Sequence, residues 1–358
     1  MAKYSNVKLP AFYIPFMDYQ QSLGNIIYKD DPFNDIHLLN PTKTHKITPE
    51  TNWWDEGQIQ YDIDFKNGAT ANDVHYASIK DSDGYIYIFI LGHNFGSTGV
   101  SNGTECSLEV QLNEEGSFIE ADDRVEIIND QGLYTSPTYN GFSIFKAKFP
   151  VTTFQGIRII IKGFSAASDE EIKIGSVSLC SKWNPPHNPD LSLTMTRQYD
   201  GVHTTRTRGG ATLSNASYTR GGTWWASSYP WELTSGDYEQ SARVIVEMER
   251  TLGRRIWNMN FSYLTPENLM PESESATYHG TDPAIDGENT IRYSQSFFAR
   301  VLNRVQGSHL PFIFLPNDTD PNYNPDQWAI CRFDQKDFSI TQAAPELYSM
   351  SMKLVESY

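Results

Sequence analysis

The seven residues from Tyr85 to Leu91, YIYIFIL, are apolar or aromatic at every position. So short a run cannot cross a membrane as a helix, which takes roughly 18 or more apolar residues, and it lacks the polar stripe of an amphipathic helix. Its β-branched and aromatic content suits a strand, and a strand with no water-facing side is one covered on both faces. The chain must therefore supply a layer of structure on each side of these residues. That requirement points to a mainly β protein built from stacked sheets.

The neighbouring segments supply the layers. Ile59, Tyr61, Ile63 and Phe65 alternate with Gln60, Asp62 and Asp64, the period-2 pattern of a strand with one buried and one wet face. Further strands are predicted at SLEVQL (107–112), RVEII (124–128), FSIFKAKF (142–149), GIRIIIKG (156–163) and IKIGSVSL (172–179), separated by Gly, Asn and Asp turns. Short strands at this spacing predict a jelly-roll β-sandwich over residues 51–182. Residues 1–50 mix prolines and aromatics without a sustained period and read as an extended N-terminal arm that docks on a neighbour.

A chain of 358 residues exceeds what one core usually organises, so two domains are expected. The segment KWNPPHNPD, with three prolines, reads as an interdomain linker at 183–190. Residues 191–358 then form a second β domain, a barrel or sandwich. Within it, Trp257, Met259, Phe261 and Tyr263 are predicted on the inner face of one strand, and Tyr348, Met350, Met352 and Leu354 on that of another. LPFIFLP and WAICRF are further strands. One flanking α-helix is predicted in ENTIRYSQSFFARVLNRVQG, with Ile291, Ser294, Phe298, Val301, Leu302 and Val305 near one face and Gly307 as the C-terminal cap.

The formal charge of −16 repels phosphate backbones, which argues against nucleic acid as a specific partner. Cys106, Cys180 and Cys331 are odd in number and lack metal-ligand spacing, so they read as reduced, buried thiols. No stretch reads as a membrane span or as the apolar core of a signal peptide, so synthesis in a cytoplasm is expected. No cofactor is implied.

Several motifs carry chemistry weakly. Gly99 to Gly103 match G-x-S-x-G around Ser101, with His93 upstream, but a glycine-rich loop stands where an esterase needs a strand entering the serine. Asp318, Asp320, Asn322, Asn324 and Asp326 alternate oxygen donors as calcium loops do, yet Tyr323 and Ala329 occupy positions that an EF-hand gives to Gly and Glu, so Asp318, Asp320 and Asp326 are weak calcium candidates. The adjacent acids Asp122 and Asp123, and Glu170 and Glu171, read as solubilising turns rather than a glycosidase pair. Arg206, Arg208 and Arg220 sit in Gly-Arg loops that read as turns or as partners of an acidic neighbour. Trp53, Trp54, Trp224, Trp225 and Trp231 are the contact candidates, since an indole face stacks on a sugar ring or anchors a protein interface.

YIYIFILGHNFGSTGVS resembles a module of phage virion proteins in which a buried strand ends in a His-Asn-Phe-Gly turn, and GIRIIIKG and IKIGSVSL are similar to its closing strands. The module belongs with the galactose-binding-like jelly rolls, which implies contact through His93 and Asn94. The segments FFARVLNRVQG, LPFIFLP and QWAICRFDQKDFSITQAAPELYSMSMKLVE resemble the tail tube and distal-tail superfamily, more narrowly cyanophage structural proteins. The resemblance implies a non-enzymatic tail, tail-tip, baseplate or neck component of the virion, with copies of itself and other tail proteins as partners. Two alternatives stay open: a carbohydrate-binding host-adhesion protein with a glycan ligand, and a glycan-active or ester hydrolase.

Overall fold

The computed structural model describes residues 7–28, 38–39, 45–47, 58–67, 70–71, 73–93, 107–128, 141–162, 172–174, 176–199, 202–216, 254–274, 290–319 and 328–357. The fold is mainly β and sandwich-like. Its backbone is one long antiparallel sheet, whose strands run in the order Asp123–Ile128, Gly141–Lys148, Ile86–His93, Ser176–Trp183, Ala11–Pro15, Phe312–Leu315, Ala329–Phe333, Leu347–Glu356, Arg254–Leu264 and Thr194–Gln198. A second sheet, Ile26–Tyr28, Gln58–Asn67, Gly156–Lys162, Ser107–Glu114 and Ser117–Ile119, packs on the N-terminal part of the first.

The strand at 86–93 meets the expectation set by its sequence. Ile86, Ile88 and Ile90 point into the core shared with Tyr61, Ile63 and Phe65 of the second sheet. Tyr87, Phe89 and Leu91 point into a separate core on the opposite face. The alternations at 257–261 and 350–354 likewise bury Trp257, Met259, Phe261, Met350, Met352 and Leu354 in a third core.

Residues 11–15 correct the arm expected from the sequence. AFYIP is a strand buried at every position, paired with Ser176–Trp183 on one side and with Phe312–Leu315 on the other. Alternation sends Phe12 and Ile14 into the core of the C-terminal half, and Ala11 and Tyr13 into the core on the opposite face. Each large side chain so buried contributes about 1.5–3 kcal/mol. The next residues, Phe16–Ser22, form a helix that the sequence pattern missed. The same pairing corrects the start of the linker, because Trp183 ends a strand, is 8% exposed and packs on Phe12. The two halves therefore join edge to edge in one sheet, through a strand that comes from neither predicted domain.

The predicted helix is shorter than expected. Thr290 makes an isolated bridge with Ser273 and residues 291–293 form a turn, followed by a π-turn at Phe298–Leu302 and an α-turn at Asn303–Val305. The wider π-turn rotates the buried side, so Phe297, Val301 and Val305 enter the core while Phe298 and Leu302 are only partly covered. Gln306 and Gly307 both take positive φ, 53° and 70°, which ends the helix where a glycine cap was expected. Tyr263 also departs from its predicted inner face: at φ 62° it sits in a bulge, 76% exposed, and Leu264 is buried in its place. No helix among the described residues is long and apolar enough to cross a membrane.

Candidate functional site

The seam between the two halves holds a polar recess. In the Ser176–Trp183 strand, alternation points Lys182 to the face carrying Tyr13 and Tyr87, and its Nζ lies 5.8 Å and 5.4 Å from their ring centroids. The same ammonium pairs with Asp318 at 2.7 Å, and the Asn184 amide donates to Asp318 Oδ2 at 3.1 Å and to the Pro10 carbonyl at 3.0 Å. Three distant segments, around residues 10, 184 and 318, thus converge on one ion pair.

The opposite wall is a tight loop. Asp81 accepts hydrogen bonds from the backbone N–H groups of Asp83 (3.0 Å) and Tyr85 (2.8 Å) and from the Tyr87 hydroxyl (2.9 Å). The loop turns at Gly84, whose φ of 91° suits a residue without a side chain. Burial first, then the Asp81 carboxylate, holds the Tyr87 hydroxyl well above the ordinary tyrosine range. Burial and then Asp318 do the same to Tyr13. Both phenols therefore stay protonated, and Tyr87 acts as a fixed donor to Asp81.

Asp81, Asp83, Tyr87, Lys182, Asn184 and Asn268 line a cavity of about 400 Å³ at this seam, with Trp183 at its edge. The Trp183 indole N–H donates to the Gln295 carbonyl at 3.0 Å, which fixes the ring. The lining combines the carboxylates of Asp81 and Asp83 with the amides of Asn184 and Asn268, and Lys182 is neutralised by Asp318. Such a surface suits a ligand rich in hydroxyl or amine groups.

The residues singled out from sequence fall mostly elsewhere. His93 ends its strand on the backbone, whereas Asn94, Trp53, Trp54, Trp224, Trp225, Trp231, Asp320 and Asp326 lie outside the described residues, as do Ser101, Glu170, Glu171 and Arg220. Asp318 is described, and it is the counter-ion of Lys182. Asp123 accepts from the Tyr85 hydroxyl, while Asp122 is exposed. Among the described residues no group of three His, Cys, Asp or Glu side chains is gathered closely enough to hold a metal ion. Cys180 and Cys331 are free and buried. Sequence reasoning missed Asp81, Lys182 and Asn184, because nothing local marks residues that meet only through pairing across the seam.

A second feature of the described surface is a hairpin, Val202–Arg206 paired with Thr212–Ala216, whose residues with a described surface position are all exposed. It follows the sheet's outer strand, Thr194–Gln198, which is exposed at all five positions. Of the nine exposed large hydrophobic residues among the described residues, five fall in this one stretch: Leu191, Met195, Tyr199, Val202 and Leu213. Arg206 and Arg208, the described members of the Gly-Arg loops, lie in the hairpin and its turn.

No protein family, curated protein or solved structure matches the chain.

Proposed function

We propose that this chain is a non-enzymatic structural subunit that assembles with copies of itself, as a component of the virion of a tailed phage. The observation that carries the assembly is the stretch 191–216. Both faces of its hairpin are open, so nothing in the described chain buries it, and an isolated two-stranded hairpin is marginally stable in water. Exposed apolar residues concentrated on an open sheet edge are the usual mark of a contact made with another chain.

Charge favours a second copy as the occupant. Residues 191–216 carry three arginines against one aspartate, in a chain whose formal charge is −16. A locally basic, partly apolar hairpin on a strongly acidic chain is complementary to the remainder of an identical subunit. The phage assignment is supported by the sequence resemblance at YIYIFILGHNFG and in the last strands. Tryptic peptides of the chain in density-purified phage particles, at a constant ratio to a major capsid protein, are the expected result. Particles free of those peptides would refute the virion assignment.

The polar seam cavity favours a second reading, binding of a hydroxyl-rich glycan. It predicts saturable binding on a glycan array that is lost in the Asp83→Ala/Asn268→Ala double variant. A folded full-length chain that binds no glycan would remove it.

A further inference from the structure

Arg300 and Arg304 lie on the π-turn and the α-turn that follows it, and they are 1% and 6% exposed. Arg300 donates to the carbonyls of Ser78 and Ala77, the latter at 3.1 Å, and Arg304 donates to the Ser78 carbonyl and to Ser181 Oγ at 3.4 Å. Every one of these acceptors is neutral. No carboxylate among the described residues pairs with either guanidinium, and Asp81 acts on Arg300 only from beyond ion-pair distance. Arg300 Nε is buried without a hydrogen-bond partner. Two buried positive charges side by side, with carbonyls as their main partners, are a costly arrangement unless an anion completes it.

A cavity of about 130 Å³ adjoins Arg304, the member of the pair that lines it. Arg304 forms part of its wall, and Arg292, His75, Asn303, Asn25 and Asp73 form others. Arg292 is exposed, and the His75 ring is held edge-on against Tyr293 with centroids 5.5 Å apart. Asp73 opposes an anion, but it is exposed and accepts from the Gln155 amide at 2.7 Å. Two arginines thus line the cavity, Arg304 buried and Arg292 exposed. π-turns recur where a helix must present side chains to a ligand.

We infer that this cavity is a binding site for a small tetrahedral oxyanion, phosphate or sulfate, held by Arg304 from within and by Arg292 at the opening. Guanidinium donors match such an ion in geometry and charge. The bound ion would supply the negative charge that the buried arginine pair lacks, and would brace the contact between residues 77–78 and the helical turn. This site is separate from the seam cavity and from the stretch 191–216.

The test is calorimetric titration of the full-length chain with sodium phosphate, and separately with sodium sulfate, against sodium chloride at matched ionic strength. Saturable binding of phosphate or sulfate, with none for chloride, is expected. Arg292→Gln, at an exposed position, should weaken it about tenfold, one charge-assisted contact's worth. Asp73→Asn should tighten it by removing a repelling charge, an effect that a purely structural arginine pair would not produce. Arg304→Gln should abolish it where circular dichroism reports a native fold. Absence of saturable binding by the folded wild-type chain, or binding indifferent to both Arg292→Gln and Asp73→Asn, would overturn the assignment.

Discussion

Phe12 and Trp183 face each other across an antiparallel pair of strands, with ring centroids 5.5 Å apart at 60°. Their contact joins the N-terminal segment to the last strand of the first half, and Phe12 also meets Phe312, Phe314 and Phe333 of the second half. Because the strand at 11–15 is central, its loss would expose both neighbours at once. Phe12→Ala should cost about 3–5 kcal/mol. Deleting residues 1–15 should abolish the cooperative thermal transition, whereas a dispensable arm would leave it unchanged.

Glu356 accepts from both the backbone N–H (3.0 Å) and the guanidinium Nη2 (2.6 Å) of Arg255, with both side chains about nine-tenths buried. Removing one partner strands a buried charge, so Glu356→Ala should destabilise by about 3–5 kcal/mol. The Arg255→Met/Glu356→Leu double variant, which buries no charge, should recover most of that loss in urea denaturation.

Asp18 introduces a pH dependence of definite sign. The residue is 7% exposed; its carboxyl accepts from the Leu39 backbone N–H at 3.3 and 3.2 Å and is pushed up from 3.8 to about 7 by burial, with the backbone hydrogen bonds and then Arg332 acting the other way. Between those two values the folded protein keeps a proton that the unfolded chain has lost. The contribution is therefore intact at low pH, falls as pH rises toward 7 and is level above it. At roughly 1.4 kcal/mol per pH unit the full loss is about 4 kcal/mol. Asp18→Asn should be more stable than wild type at pH 8 by up to that amount and nearly equal to it at pH 4, as read by denaturant titration at both pH values.

Gly156 pairs with Asp64 where the two strands come close, and a Cβ built there would lie 2.6 Å from the Ile63 carbonyl oxygen and 2.9 Å from Asp64 Oδ1. The carbonyl is backbone in a central strand and cannot swing away. Gly156→Ala should cost about 1–3 kcal/mol in thermal or denaturant unfolding, while Gly116→Ala, which meets no atom within 4 Å, carries only the strain of its φ of 94°.

These features differ in how far the sequence discloses them. The doubly buried strand at 86–93 and the alternation at 61–65, 257–261 and 350–354 are local patterns, and each predicts the burial that the structure has. AFYIP carries no such pattern: five residues that follow one proline and end in another, buried throughout, whose partners lie about 170 and 300 positions away. Tyr263 continues a clean alternation and is turned outward only by the bulge after Phe261. The seam cavity was hidden for the same reason as the strand, since Asp81, Lys182 and Asp318 become neighbours only once the two halves share a sheet. The buried pair Arg300 and Arg304 was hidden by the π-turn, which rotates them inward from positions that an ordinary helix pattern reads as polar surface.

Self-assembly through the stretch 191–216 is tested most directly by the solution mass of the full-length chain. Light scattering after size exclusion, over a range of micromolar concentrations at low salt, should give a mass above that of the 40.7 kDa chain. The triple variant Val202→Ser/Leu213→Ser/Arg206→Glu, with its native thermal transition intact, should elute as a monomer. A wild-type chain monomeric at every concentration, or an oligomer whose mass is unaltered by the triple variant, would contradict it.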